Sequence, residues 1–248
     1  HLTSKKWPYY NELIAMINQK SDNKFKVVVA PGPSEIKEAS NINALCVLDN
    51  GKALDISQLS TLIKDSSATT AIGADVENGA VVLTSQATTD NDGASIQGNE
   101  IYALSSTRDI WFETKLFITD AEGDAMDVCV GLTVNFATNP EAMLTAADRI
   151  VFQIDDGDSN IDCVTEKDGT ATTTDSGVDI VSGTYVTLGF HVHGTSKVEF
   201  FVNRNLVATH TDNLPDDENL TIGAMELSGS ATGTKSMTVD YLMTVQNR

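Results

Sequence analysis

The stretch from Tyr185 to Thr211, YVTLGFHVHGTSKVEFFVNRNLVATHT, constrains the fold of this chain more than any other. Val186, Leu188, Phe190 and Val192 alternate with Thr187, Gly189, His191 and His193. That period of two makes a strand with one buried and one polar face. Gly194-Thr195-Ser196 turns the chain, and Lys197 to Val202 alternates again with Val198, Phe200 and Val202 on one side. Asn203-Arg204-Asn205 makes a second turn, since Asn tolerates the positive φ of tight hairpins. Leu206 to Thr211 returns. Three consecutive antiparallel strands predict a meander inside a large sheet.

Charge divides the chain. Residues 1–66 hold 8 Lys/Arg and 7 Asp/Glu, whereas residues 67–248 hold 8 and 28, within a total net charge of −19. An acidity of this size repels nucleic-acid phosphates and anionic membranes, so neither is an expected partner. The sequence has no apolar run long enough to span a bilayer, and it opens HLTSKKWPYY, so no signal peptide is expected in it.

The pattern of elements changes at the same place, near Ser66. Before it, Pro8 to Lys20 puts Leu13, Ile14, Met16 and Ile17 at helical spacing. Phe25 to Ala30 reads as a buried parallel strand, Ser34 caps a second helix, and Leu45 to Leu48 forms another strand. A third helix is predicted from Asp55 or Ser57 through Leu59, Leu62 and Ile63. After the boundary, strands are predicted at 80–86, 94–97, 110–119, 127–136, 149–154 and 161–166, then the meander, then 220–227 and 236–244. One helix interrupts them at Asn139 to Ala147, with Asn139 as cap and Pro140 at the first position. The expected organisation is a truncated α/β, half Rossmann-like segment over residues 1–67. A mainly β, two-sheet antiparallel jelly-roll sandwich follows over 68–248.

Cys46, Cys129 and Cys163 are read as small buried hydrophobes, with a Cys129–Cys163 bridge as the alternative.

Two resemblances sharpen this. The segments VENGAVVLT (76–84), RDIWFETKLFI (108–118), FQIDDGDSNIDCVTEKDGT (152–170), the meander, NLPDDENLT (213–221) and MTVDYLM (237–243) resemble concanavalin A/laminin-G-like jelly rolls. They are most like those of structural proteins of marine tailed phages. Residues 2–66 are similar to part of the nucleotide-sugar-binding half of the heptosyltransferase-like glycosyltransferases. The likeness rests on SKKWP (4–8), VVVAPGPSE (27–35) and DISQLSTLIKDSS (55–67). It implies that Lys5 and Glu35 correspond to groups approaching the sugar nucleotide's phosphate and ribose. The Asp-Thr-Gly-Pro motif that should follow is missing, so glycosyl transfer is not expected.

Candidate chemistry is sparse. Glu122, Asp124 and Asp127 approach the E-x-D-x-x-E pattern of jelly-roll glycoside hydrolases, but Gly123 and Ala125 favour a solvated acidic turn. Asp156, Asp158 and Asn160 match the opening of a calcium loop. Ile161 then stands where glycine is needed, and Lys167 where the bidentate glutamate belongs. His191 and His193 share a face, as a zinc site needs, yet no carboxylate or cysteine has matching spacing, so exposed sheet-face histidines are expected; His210 follows on a strand of the same meander. Trp111 and Phe117 fall opposite Phe112, Leu116 and Ile118, placing an aromatic where it could stack on a sugar. Trp111, His191, His193 and Glu199 are the candidate ligand-binding set.

The phage likeness implies a non-catalytic structural or surface-display protein, self-associating or contacting virion proteins, virion-borne or extracellular. A lectin-like carbohydrate-binding module, with or without Ca²⁺, is the alternative. A laminarinase-like glycoside hydrolase is the third reading.

Overall fold

The computed structural model describes residues 10–20, 28–29, 37, 40–42, 45–46, 48–49, 52–53, 61–65, 68–72, 80–85, 90–120, 125–136, 139–229 and 235–247. The chain divides into two compact units, His1–Leu59 and the unit that begins at Ser60 and runs through Asn247.

In the first unit α1 (Tyr10–Lys20) realises the predicted helix. Strands β1 (Val28–Val29) and β2 (Leu45–Cys46) pair in parallel. A small hairpin joins β3 (Leu48–Asp49) to β4 (Lys52–Ala53). Lys5 and Glu35 lie outside the described residues.

The second unit is a sandwich of two seven-stranded sheets. The first sheet, in spatial order, contains β13 (Thr170–Asp179), β12 (Asn160–Lys167), β11 (Arg149–Ile154), β10 (Met126–Thr133), β17 (Thr221–Ser228), β8 (Gly93–Gln97) and β5 (Thr61–Lys64). The second contains β16 (Asn205–His210), β15 (Lys197–Val202), β14 (Val186–His193), β9 (Ile110–Thr119), β18 (Ser236–Gln246), β7 (Val81–Thr84) and β6 (Thr69–Ile72). Every pairing within both sheets is antiparallel. The two-sheet antiparallel sandwich is therefore the fold, and the meander forms one end of the second sheet.

The core lies between the sheets. Phe112, Leu116, Val186, Leu188, Phe190, Val198, Phe200 and Val202 face Val128, Val130, Leu132, Ile150, Phe152 and Ile161. Phe112 and Phe190 stack at 4.7 Å, and Phe200 meets Phe152 edge-on at 5.3 Å. The meander's second turn has positive φ at both Asn203 (50°) and Arg204 (68°), the geometry of a two-residue hairpin whose twist matches its strands.

The two sheets differ on their outer faces. The first is partly covered: Cys129, Val151, Val164, Met225 and Leu227 pack there with Phe136 and Met143. Met143 belongs to a single 3₁₀ turn, Pro140–Met143, shorter than the predicted helix, with Asn139 accepting the Ala142 N–H at 2.8 Å. Cys163 sits in the inter-sheet core and Cys129 on this outer face, and both are free thiols. A bridge between them is excluded by the pleat, which points them to opposite sides of the sheet.

Two other expectations are corrected. Residues 61–64 are not helical but pair with β8, Thr61 opposite Gln97 and Lys64 opposite Ala94. The strand β13 has no counterpart in the predicted set.

Candidate functional site

Alternation carries one set of side chains to the outer face of the second sheet. From β9 come Trp111, Glu113, Lys115 and Phe117; from β14 Thr187, Gly189, His191 and His193; from β15 Lys197, Glu199 and Phe201. A register shift at Asp240 in β18 sets Tyr241, Met243 and Val245 on the same face, opposite Lys115, Glu113 and Trp111. Trp111, Tyr185, Met243 and Val245 are exposed large apolar groups.

Register then builds a cleft. Gly189 lies opposite Phe201 on one side and Glu113 on the other, and Glu113 lies opposite Met243. With Thr187 and His191 on its own strand, the one position without a side chain is thus flanked on this face by four that have them. The resulting cleft has a volume of about 370 Å³, and its walls include Trp111, Glu113, Thr187, His191, Phe201, Arg204 and Met243. A Cβ added at Gly189 would stand 3.1 Å from the Phe112 carbonyl oxygen, so the floor is also a close strand–strand approach.

Trp111 lies 39 % exposed and stacks on His191, with centroids 4.7 Å apart and planes 18° from parallel. His191 Nε2 is 3.3 Å from Asp109 Oδ2, and the other Asp109 oxygen accepts the Gly194 N–H at 3.1 Å. His193 Nε2 is 2.7 Å from Glu199 Oε2, and Lys197 Nζ donates to Glu199 Oε1 at 2.5 Å. The Lys197 hydrogen bond first, then that of His193, holds the Glu199 carboxyl at about 2. The candidate set Trp111, His191, His193 and Glu199 is therefore one contiguous patch.

Beside it, Tyr241 donates its hydroxyl to Glu113 Oε1 at 2.6 Å. Burial, then that hydrogen bond to a carboxylate, pushes the phenol up to about 12. Lys115 pairs with Asp240 at 2.8 Å and sits 4.4 Å from the centre of the Tyr185 ring. The Asp240 hydrogen bond raises its pKa.

The remaining sequence candidates lie elsewhere. His210 faces the interior, with Nδ1 3.0 Å from the Thr165 hydroxyl and Nε2 2.9 Å from that of Thr174, tying the two sheets together at one edge. Burial lowers its pKa. Asp127 is on the outer face of the first sheet, across the sandwich from the cleft. It accepts the Asp156 N–H at 2.9 Å, and burial pushes it up to about 6. Glu122 and Asp124 lie outside the described residues. Asp158 turns its carboxylate to Asn160, accepting from the backbone N–H at 3.0 Å and the side-chain amide at 3.4 Å. Asp156, Asp158 and Asn160 thus share one turn, but the acids belong to no group of three close His, Cys, Asp or Glu ligand atoms among the described residues.

Reading the sequence alone misses Asp109, Glu113, Gly189, Arg204 and Tyr241. Asp109 and Glu113 carry a weak signal, the same i, i+2 spacing that flags Trp111. Nothing local links Tyr241 to Glu113, which are 128 residues apart.

The fold is shared with proteins that act on polysaccharides. An endo-1,3-β-glucanase from Streptomyces sioyaensis aligns with a TM-score of 0.52 at 12 % identity, covering 71 % of this chain and 78 % of that one. An endo-β-1,4-glucuronan lyase from Trichoderma reesei aligns at 0.51 and 10 % identity, over 74 % of this chain and 89 % of that one. A protein of unknown function from Shewanella oneidensis MR-1 aligns at 0.51 and 15 % identity, over 85 % and 96 %. The sandwich is thus a concanavalin A-like jelly roll. No protein-family model and no curated protein matches the sequence. The comparisons support the jelly-roll half of the sequence resemblance and give no support to a phage origin or to the glycosyltransferase-like segment.

Proposed function

We propose that this chain is a carbohydrate-binding module whose binding surface is the outer face of the second sheet, centred on the cleft over Gly189. The observation that carries the reading is the juxtaposition of an exposed, flat Trp111–His191 stack with a cleft whose polar groups converge from two strands and a turn. A pyranose ring presents an apolar face to an aromatic and hydroxyls at its rim. A mostly apolar pocket with a few placed polar groups suits that chemistry. Glu113, Thr187, His191 and Arg204 are the groups offered to the hydroxyls.

Binding is favoured over hydrolysis by the acids. Glycoside hydrolysis uses two carboxyl groups roughly 5–9.5 Å apart across the scissile bond. Among the described residues the cleft lining contains one, Glu113, which already accepts a hydrogen bond from Tyr241. The fold hosts both binding and catalysis, so the site and not the fold decides.

Affinity electrophoresis against soluble β-glucans and polyuronates tests this. Retardation by at least one glycan is expected, with loss in Trp111→Ala. Truncating an anchoring tryptophan costs about 2 kcal/mol or more, roughly thirty-fold in Kd. Migration unaffected by every glycan would sink the reading.

A further inference from the structure

At one end of the same face, Asp109, His191 and His193 bring their ligand atoms within 4.8 Å of one another. The carboxylate that sequence spacing did not supply comes from the residue just before β9. Register explains it: Trp111 pairs with His191 and Ile110 with Val192, so the next position along, Asp109, arrives beside His193. We propose that these three side chains form a site for a divalent transition metal of the zinc type.

Three features carry the assignment. The donor set is two imidazoles and one carboxylate, the composition of zinc sites that keep a fourth position open to an outside ligand. Then there is the spacing. His191 Nε2 and Asp109 Oδ2 are 3.3 Å apart, longer than a charge-assisted hydrogen bond of about 2.7–2.9 Å. Bonds of about 2.0–2.1 Å around a tetrahedral zinc put neighbouring ligand atoms about 3.3 Å apart. Lastly, each ligand is held by a further contact. Trp111 stacks on His191, the Gly194 N–H fixes one Asp109 oxygen, and Glu199 sits 2.7 Å from His193 Nε2. With Nε2 bonded to Glu199, Nδ1 of His193 is the nitrogen left for the ion. A carboxylate behind a histidine ligand fixes its tautomer and raises its basicity. Lys197 holds Glu199 from its other oxygen.

The proposal shares His191 with the carbohydrate reading but does not depend on it, and it is tested with metal alone. The full chain, stripped with chelator, is titrated with zinc chloride by calorimetry and with cobalt(II) by visible absorption. One saturable equivalent is expected, with the intense visible bands of four-coordinate cobalt. His191→Ala/His193→Ala abolishes both signals. Asp109→Asn, which keeps an oxygen for the Gly194 N–H, weakens zinc at least about ten-fold. Glu199→Gln weakens it by about ten- to hundred-fold. Circular dichroism and thermal melts establish that each variant is folded; should the double variant unfold, Asp109→Asn decides. No saturable uptake, or uptake kept by the double variant (which retains His1 and His210), overturns the proposal, as does unchanged affinity in Asp109→Asn.

Discussion

Glu226 offers a test of the packing in which the expected size can be worked from the structure. It lies on β17, two residues after Ala224, so its side chain points into the space between the sheets, where it is fully buried. Among the described residues neither carboxyl oxygen has a hydrogen-bond partner of ordinary geometry. Burial is the largest influence, and with it Asp92 raises the pKa. The Ser85 hydroxyl, the Ala94 N–H and Lys235 are near enough to offset part, and the result is a shift from 4.5 to about 8. Between those two values the folded protein holds a proton that the unfolded chain has released. Stability is therefore full below 4.5 and declines as pH rises towards about 8. At about 1.4 kcal/mol per pH unit, the loss is on the order of 5 kcal/mol, comparable with the whole stability of many domains. Glu226→Gln keeps the neutral shape at every pH. Urea denaturation of both proteins near pH 4.5 and about pH 9 should give similar stabilities at the lower pH and a clearly more stable variant at the higher. Other titrating groups, Asp127 among them, are common to both and cancel in the difference. Parallel pH profiles would refute the reasoning, because a solvated Glu226 would carry no such dependence.

Burial pushes the Cys129 and Cys163 thiols up to about 12, so neither should be alkylated in the folded protein, and peptide mapping should find both modified only after denaturation. Phe200 is fully buried against Phe152 and Phe190; Phe200→Ala should cost about 3–5 kcal/mol by urea denaturation. Gly131 has φ of +150°, and a Cβ there would stand 2.3 Å from the Ile150 carbonyl oxygen; Gly131→Ala should lower the melting temperature even though it adds one methyl group.

Much of the sandwich was legible in the sequence because its strands have one wet face. β9, β14 and β15 alternate buried and open without a break, and their bounds follow from the pattern. The edge strand β13 carries TATTTDSGVD, mostly exposed on both sides, so no alternation marks it. Its signals were the threonines and the Asp168-Gly169 turn, whose positive φ values of 50° and 75° fit a tight hairpin. Residues 61–64 read as helical from the spacing of Leu59, Leu62 and Ile63, yet pairing with β8 decides their conformation. Local spacing yields to tertiary context in so short a segment.

The candidate site follows the same division. Trp111, His191 and His193 could be placed on an outer face by counting in twos. Their neighbours could not, because β9 lies between β14 and β18, strands far from it in the chain. Asp109 beside His193, and Tyr241 beside Glu113, are products of that strand order.

The central claim is that the surface over Gly189 receives a saccharide. The chain has two tryptophans, so in Trp7→Phe the tryptophan emission reports Trp111 alone. Titrating this variant with the glycan that retards the protein most should give a saturable change in emission. Adding Gly189→Leu, which fills the floor of the cleft at a close strand–strand approach, should abolish it, with circular dichroism and a thermal melt establishing that the variant is folded. Saturable binding that survives Gly189→Leu, or that leaves Trp111 emission unmoved, would contradict the account.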